Sequence, residues 1–74
     1  MTLSELVKDI KRYEVHGLGT TPTRDYLFDN FNNHLEEWLE KYGSCKVVDY
    51  HEEEDVYGGI FTWIYVDNRA FWKV

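Results

Sequence analysis

Three histidines, one cysteine and fourteen carboxylates carry the acid–base, nucleophilic and metal-binding chemistry available to this 74-residue chain. Their spacing supports little of it. His16, His34 and His51 are too scattered for a ligand set, and no cysteine–histidine pattern has zinc-site spacing. His51 is followed by Glu52, Glu53 and Asp55, which would hold a cation only weakly, because the calcium-loop spacing with its central glycine is missing. Cys45 has no neighbouring histidine or basic pair to lower its pKa, so it reads as a buried strand thiol and not as a nucleophile. The run Gly17-Leu18-Gly19-Thr20-Thr21 leads toward a helix start, where backbone amides favour anions. It lacks the P-loop lysine and follows a helix where a phosphate cradle would follow a strand. The expectation is no enzyme, no catalytic residues, no metal and no cofactor.

Charge is the more informative signal. Asp and Glu outnumber Lys and Arg by 14 to 8, a net charge of −6. Residues 1–24 and 56–74 each carry +1, and residues 25–55 carry −8. If residues 25–42 form one helix, Asp25, Asp29, Glu36 and Glu40 share a narrow stripe beside its apolar face, with Asn32 and Asn33 at the gap. Successive acids four residues apart are separated by about 6 Å, close to the spacing of phosphates along a nucleic-acid strand. Like charges at this spacing destabilise an isolated helix, and no Lys or Arg stands among them in relief. Glu52, Glu53, Glu54 and Asp55 add a second acidic run.

The elements that would position these groups follow from periodicity. Leu3, Leu6, Val7, Ile10 and Tyr13 predict a first helix over 3–14, with Thr2 and Glu5 as a capping box. Phe28, Phe31, Leu35, Trp38 and Tyr42 predict a second helix, flanked by Leu27 and Leu39, opened at Thr21 or Thr23 with Pro22 and closed at Gly43 as C′ residue. Beyond Gly43 the pattern alternates. It predicts strands over Cys45–Glu52, Val56–Val66 and Ala70–Val74, with Asp67-Asn68 as a hairpin turn and Gly58-Gly59 as a bulge. A turn at Gly58-Gly59 would instead put four consecutive acids of poor β propensity inside a strand. The expected fold is one α+β domain spanning 1–74, ααβββ, with two helices on one face of a three-stranded antiparallel sheet. Thirteen aromatic residues take the place of the disulfides or metals that small domains commonly need. The acid-interrupted N-terminus is no signal peptide, and no apolar run spans a membrane, so a soluble, cytoplasmic protein is expected.

In the expected hairpin Phe61, Trp63, Tyr65, Trp72 and Val74 share the side beneath the helices. The reverse side then carries Ile60, Thr62, Ile64, Val66 and Phe71, apolar enough to suggest self-association as a homodimer through Ile60, Ile64, Val66 and Phe71. Aromatic strands also serve base stacking in RNA-binding modules, but an excess of acids disfavours direct nucleic-acid contact.

A compact, acidic, aromatic-rich and motif-free domain of this size resembles the small inhibitors that phages encode against host defence or nucleic-acid enzymes, some of which imitate DNA. The resemblance is one of kind and carries no motif. It implies a protein-binding inhibitor that occupies a partner's basic groove, with Asp25, Asp29, Glu36 and Glu40 standing in for phosphates and Glu52 to Asp55 widening the contact. A homodimeric interaction module whose acids serve solubility is the alternative.

Overall fold

The computed structural model describes residues 1–18, 25–31 and 33–71. Its class is α+β: two helices, α1 (Leu3–Val7) and α2 (Leu35–Tyr42), with a four-stranded mixed sheet of β1 (Tyr13–Gly17), β2 (Asp25–Asp29), β3 (Val47–Glu54) and β4 (Ile60–Val66) in the order β2-β1-β4-β3. A 3₁₀ turn at Arg69–Phe71 follows β4.

The first helix is shorter than its apolar spacing predicts. Thr2 and Glu5 form both halves of the capping box, the Glu5 amide donating to Thr2 Oγ1 and the Thr2 amide to Glu5 Oε1, but α1 ends at Val7. Tyr13-Glu14-Val15-His16-Gly17 alternates buried and half-buried, and this strand pairs in parallel with β4, some fifty residues away in sequence. Leu3 and Val7 face the core, and the Leu3 and Ser4 amides donate to the carbonyls of Cys45 and Gly43. Gly43 stands at the end of α2 in right-handed helical geometry, not as a left-handed C′ residue. A Cβ there would meet the Ser4 hydroxyl, so the glycine serves close approach of α1.

The second predicted helix divides. Asp25–Asp29 is an edge strand antiparallel to β1, and only Leu35–Tyr42 is helical. The intervening asparagines explain the break, because they compete for backbone hydrogen bonds outside a helix. Asn30 accepts from the Tyr13 amide and donates to the Lys11 carbonyl, and Asp29 accepts from the Phe31 amide. The proposed caps at Thr21, Pro22 and Thr23 lie outside the described residues, as does most of the Gly17–Thr21 loop.

The hairpin turn falls at Asp55–Gly59, so Gly58-Gly59 belongs to a turn and not to the bulge that the sequence predicts. Gly58 has φ +81°, the left-handed region that glycine occupies without strain. Glu52, Glu53 and Glu54 do lie inside a strand, and they are tolerated because β3 is an exposed edge, where charge also discourages pairing with another chain. The predicted turn at Asp67-Asn68 is absent: Asn68 is buried, and its side chain accepts from the Leu18 amide. Residues 69–71 form the 3₁₀ turn where a third strand was expected, and Trp72 to Val74 lie outside the described residues. The three-stranded antiparallel sheet is thereby replaced by a four-stranded mixed one.

Both helices contribute to one core with Tyr13, Val15, Phe28, Ile64 and Val66. Phe28, Trp38 and Tyr42 stack with centroids 5.8–6.2 Å apart. The buried side of β4 is Thr62, Ile64 and Val66, while Phe61, Trp63 and Tyr65 lie half-buried on the side away from the core. This inverts the sequence expectation. Ile64 and Val66 are fully buried within this chain, so they cannot form the proposed homodimer face; Ile60 and Phe71 remain exposed at its margins.

Candidate functional site

Two surfaces concentrate the chemistry. The first is acidic. On α2, Glu36, Glu37 and Glu40 are exposed, the first two in the opening turn, where they also suit the helix dipole. On β3, Glu52, Glu53 and Glu54 are exposed along the edge strand. Among the described residues, no Lys or Arg pairs with any of these six; the basic side chains in ion pairs are Arg12, with Asp55, and Arg69, with Asp67.

The proposed phosphate-like row is not a helical stripe. Asp25 and Asp29 belong to β2, and Glu36 and Glu40 to α2. Asp29 is engaged locally, accepting from the Tyr26 hydroxyl at 2.7 Å and the Phe31 amide at 2.9 Å. That bond to Asp29 pushes the Tyr26 phenol up to about 12. Glu36 and Glu40 keep the i,i+4 relation, about 6 Å of helix rise.

Asp55 leaves the acidic run for a structural role. Its carboxylate accepts from the Tyr57 and Gly59 amides at 2.8 and 2.9 Å and pairs with Arg12 Nη1 at 2.8 Å, closing the hairpin turn. The Gly59 and Tyr57 amides, followed by Arg12, hold its carboxyl below the ordinary 3.8. A depressed folded value stabilises the turn above the unfolded pKa, and that contribution disappears as pH falls through the folded value. We expect amide exchange at Tyr57 and Gly59 to rise relative to Val15 and Ile64 as pH is lowered below about 4. In Asp55→Ala the relative protection should be low and pH-independent; unchanged protection would show that the carboxylate does not hold the turn.

The second surface was missed from sequence. On the side of the sheet away from the core, aromatic and imidazole rings run across all four strands. Tyr26 meets His16 edge-on at 5.7 Å, His16 stacks on Trp63 at 5.1 Å, and Trp63 stacks on His51 at 6.2 Å. Phe61 touches Trp63 edge-on at 5.9 Å. Acids lie among the rings: Glu14 pairs with His16 at 3.1 Å and Glu53 with His51 at 3.3 Å. The alternation of Tyr13 to Gly17 is the available signal, and a helix extended over 3–14 takes its first two residues.

The other sequence candidates are Cys45 and His34. Cys45 is a buried free thiol whose pKa burial raises, with Asp67 adding to the effect, the opposite of an activated nucleophile. His34 lies beside Glu37 at the start of α2, and no group of three metal-ligating side chains occurs among the described residues. No helix among the described residues is long and apolar enough to cross a membrane. Comparison with protein families, curated proteins and solved structures finds no significant match for this chain.

Proposed function

We propose that this protein is a small acidic binding protein that inhibits a nucleic-acid-binding enzyme or defence protein, as phage inhibitors do, by occupying its basic groove. The observation that carries this reading is the set of six exposed carboxylates on α2 and β3 without Lys or Arg partners among the described residues. Unrelieved like charge costs folding stability, and a partner with the opposite potential recovers that cost on binding while steering the encounter. Glu36 and Glu40 offer a phosphate-like spacing, and Glu52, Glu53 and Glu54 extend the negative surface along the sheet edge. DNA mimicry is thus assigned to two elements in place of one helical stripe. The buried free thiol of Cys45 suits the reducing cytoplasm, where we place the protein.

The reading is tested by capture from a host-cell lysate followed by challenge with duplex DNA. The expected result is retention of a nucleic-acid-binding protein that DNA displaces and that elutes as salt rises, because both ligands use one basic groove. A captured partner that binds DNA and this protein together, or binds independently of salt, overturns the proposal.

A further inference from the structure

We propose that the outer edge of β3 accepts an extended basic segment of the partner protein as an added antiparallel strand, with two basic residues, two apart, meeting Glu54 and Glu52 and an apolar residue two further on covering Tyr50. The proposal rests on the reading of the partner as basic and names the form in which the partner presents its charge.

β3 ends the sheet, and the ladder fixes which of its backbone groups point outward. The Asp55 amide donates to the Gly59 carbonyl at 2.8 Å, so the alternation of an antiparallel pair makes Glu53–Phe61 and His51–Trp63 the next hydrogen-bonded positions. Glu54 and Glu52 lie between them, opposite Ile60 and Thr62, and their amides and carbonyls therefore point away from β4. Thr62 agrees, because its amide donates to the Arg12 carbonyl at 3.0 Å, on the side away from β3. The Tyr50 carbonyl also points outward, while the Tyr50 amide is taken by Asp49 Oδ1 at 2.9 Å. Side chains of Tyr50, Glu52 and Glu54 share one side of the sheet. Neither Glu52 nor Glu54 is in an ion pair among the described residues, whereas Glu53, on the other side, is held by His51.

The chain itself seats extended backbone on this edge. Just before β3 the Leu3 amide donates to the Cys45 carbonyl and the Val47 amide to the Met1 carbonyl, both at 2.9–3.0 Å, which makes an antiparallel bridge between Thr2 and Lys46. That pairing reaches only Val47, and every residue from Val48 to Glu54 is exposed. A run of outward amides and carbonyls is a template for a further strand, and the side chains beside it select which one. A second copy of β3 would set acid against acid, and a nucleic-acid strand would set phosphates there. A basic strand instead places a cation opposite each unpaired carboxylate while its backbone continues the ladder. Tyr50 is 47% exposed, so an apolar residue opposite it removes ring surface from water. The charges that keep like strands off this edge thus admit a basic one.

The test titrates the full chain with the end-blocked peptide Thr-Lys-Thr-Lys-Thr-Val-Thr, whose lysines fall opposite Glu54 and Glu52, and follows the Glu52 and Glu54 amides by NMR and hydrogen exchange. Both amides should gain protection, and binding should be about tenfold tighter than that of Thr-Lys-Lys-Thr-Thr-Val-Thr, which has the same charge but divides its lysines between the two sides. N-methylation of the second lysine, whose amide faces the Glu52 carbonyl, should weaken binding by about tenfold; N-methylation of the threonine after it, whose amide faces away, should change it by less than about threefold. In the chain, Glu52→Gln/Glu54→Gln should bring the preference between the two peptides to near unity. Glu52→Pro should weaken binding beyond Glu52→Gln, because it also removes an outward amide that β4 does not use. Equal affinities of the two methylated peptides overturn strand addition; if the lysine peptides then all bind alike and weaken as salt rises, the acidic reading stands without it. Equal binding of a peptide with glutamate in place of lysine overturns the basic occupant, and protection of the two amides that grows with the concentration of the chain alone gives the edge to a second copy. If no lysine peptide binds at millimolar concentration and low salt, the acidic reading fails with the proposal.

Discussion

Ile64→Lys is expected to unfold this protein, not to dissociate an oligomer. Ile64 is fully buried at the centre of β4, which is paired on both sides, by β1 and by β3. Its side chain belongs to the cluster that includes Leu3, Val15, Phe28 and Val66. The lysine would forfeit roughly 1.5–3 kcal/mol of apolar burial and bring a charge into a site whose neighbours are hydrocarbon, at a further cost of several kcal/mol even after partial relaxation. Small domains are stable by about 5–15 kcal/mol in all, and a chain of this length belongs near the lower end. Loss of near-UV dichroism and of a cooperative thermal transition at 25 °C should follow. Ile60→Lys is the matched control: Ile60 opens the same strand and is 60% exposed, so its replacement should shift stability by no more than about 0.5 kcal/mol. A folded Ile64→Lys protein would show that this position is not the core.

Charge reversal on the acidic surface should have the largest effect on binding. Glu36→Lys, Glu40→Lys and Glu52→Lys each remove one negative and add one positive charge, so the triple variant moves the chain from −6 to neutrality. All three side chains are exposed and none pairs with Lys or Arg among the described residues, so the fold should survive. Binding to a basic groove should fall by at least a hundredfold at low salt, because attractive contacts become repulsive ones and steering is lost. The difference between wild type and variant should narrow as salt approaches 1 M, where the screening length is about 3 Å. Control reversals at Glu5 and Asp9, in mixed-sign surroundings on and just after α1, should change binding little. Glu5→Lys removes the capping-box partner of Thr2, so its thermal transition is checked separately. If the triple variant binds as wild type does at every salt concentration, the carboxylates serve solubility alone.

What the chain determined by itself is what short-range physics can fix. Capping by Thr2 and Glu5, the helical stripe of Leu35, Trp38, Leu39 and Tyr42, and alternation through β4 depend on neighbours within a few residues, and each is present in the fold. The α+β class follows from them, and the surplus of acids in residues 25–55 is a matter of counting. Tertiary structure decided the remainder. Tyr13 continues the apolar stripe of the first predicted helix, and Leu27 and Phe28 in Asp25–Asp29 fit the stripe of the second; both segments are strands because β1 finds its parallel partner in β4 and β2 pairs with β1, and that gain cannot be read from either segment alone. Alternation in β4 fixes which side chains share a face, but it does not say which face the helices cover. Here they cover Thr62, Ile64 and Val66, with Val15 and Phe28 completing that side, so Trp63 and its neighbouring rings face outward. The split of the acidic row has the same origin. Asp29 and Glu36 fall on one stripe only if the chain between them is helical, and Asn30 is drawn into hydrogen bonds with the backbone of Tyr13 and Lys11, contacts that exist only once the strands have assembled.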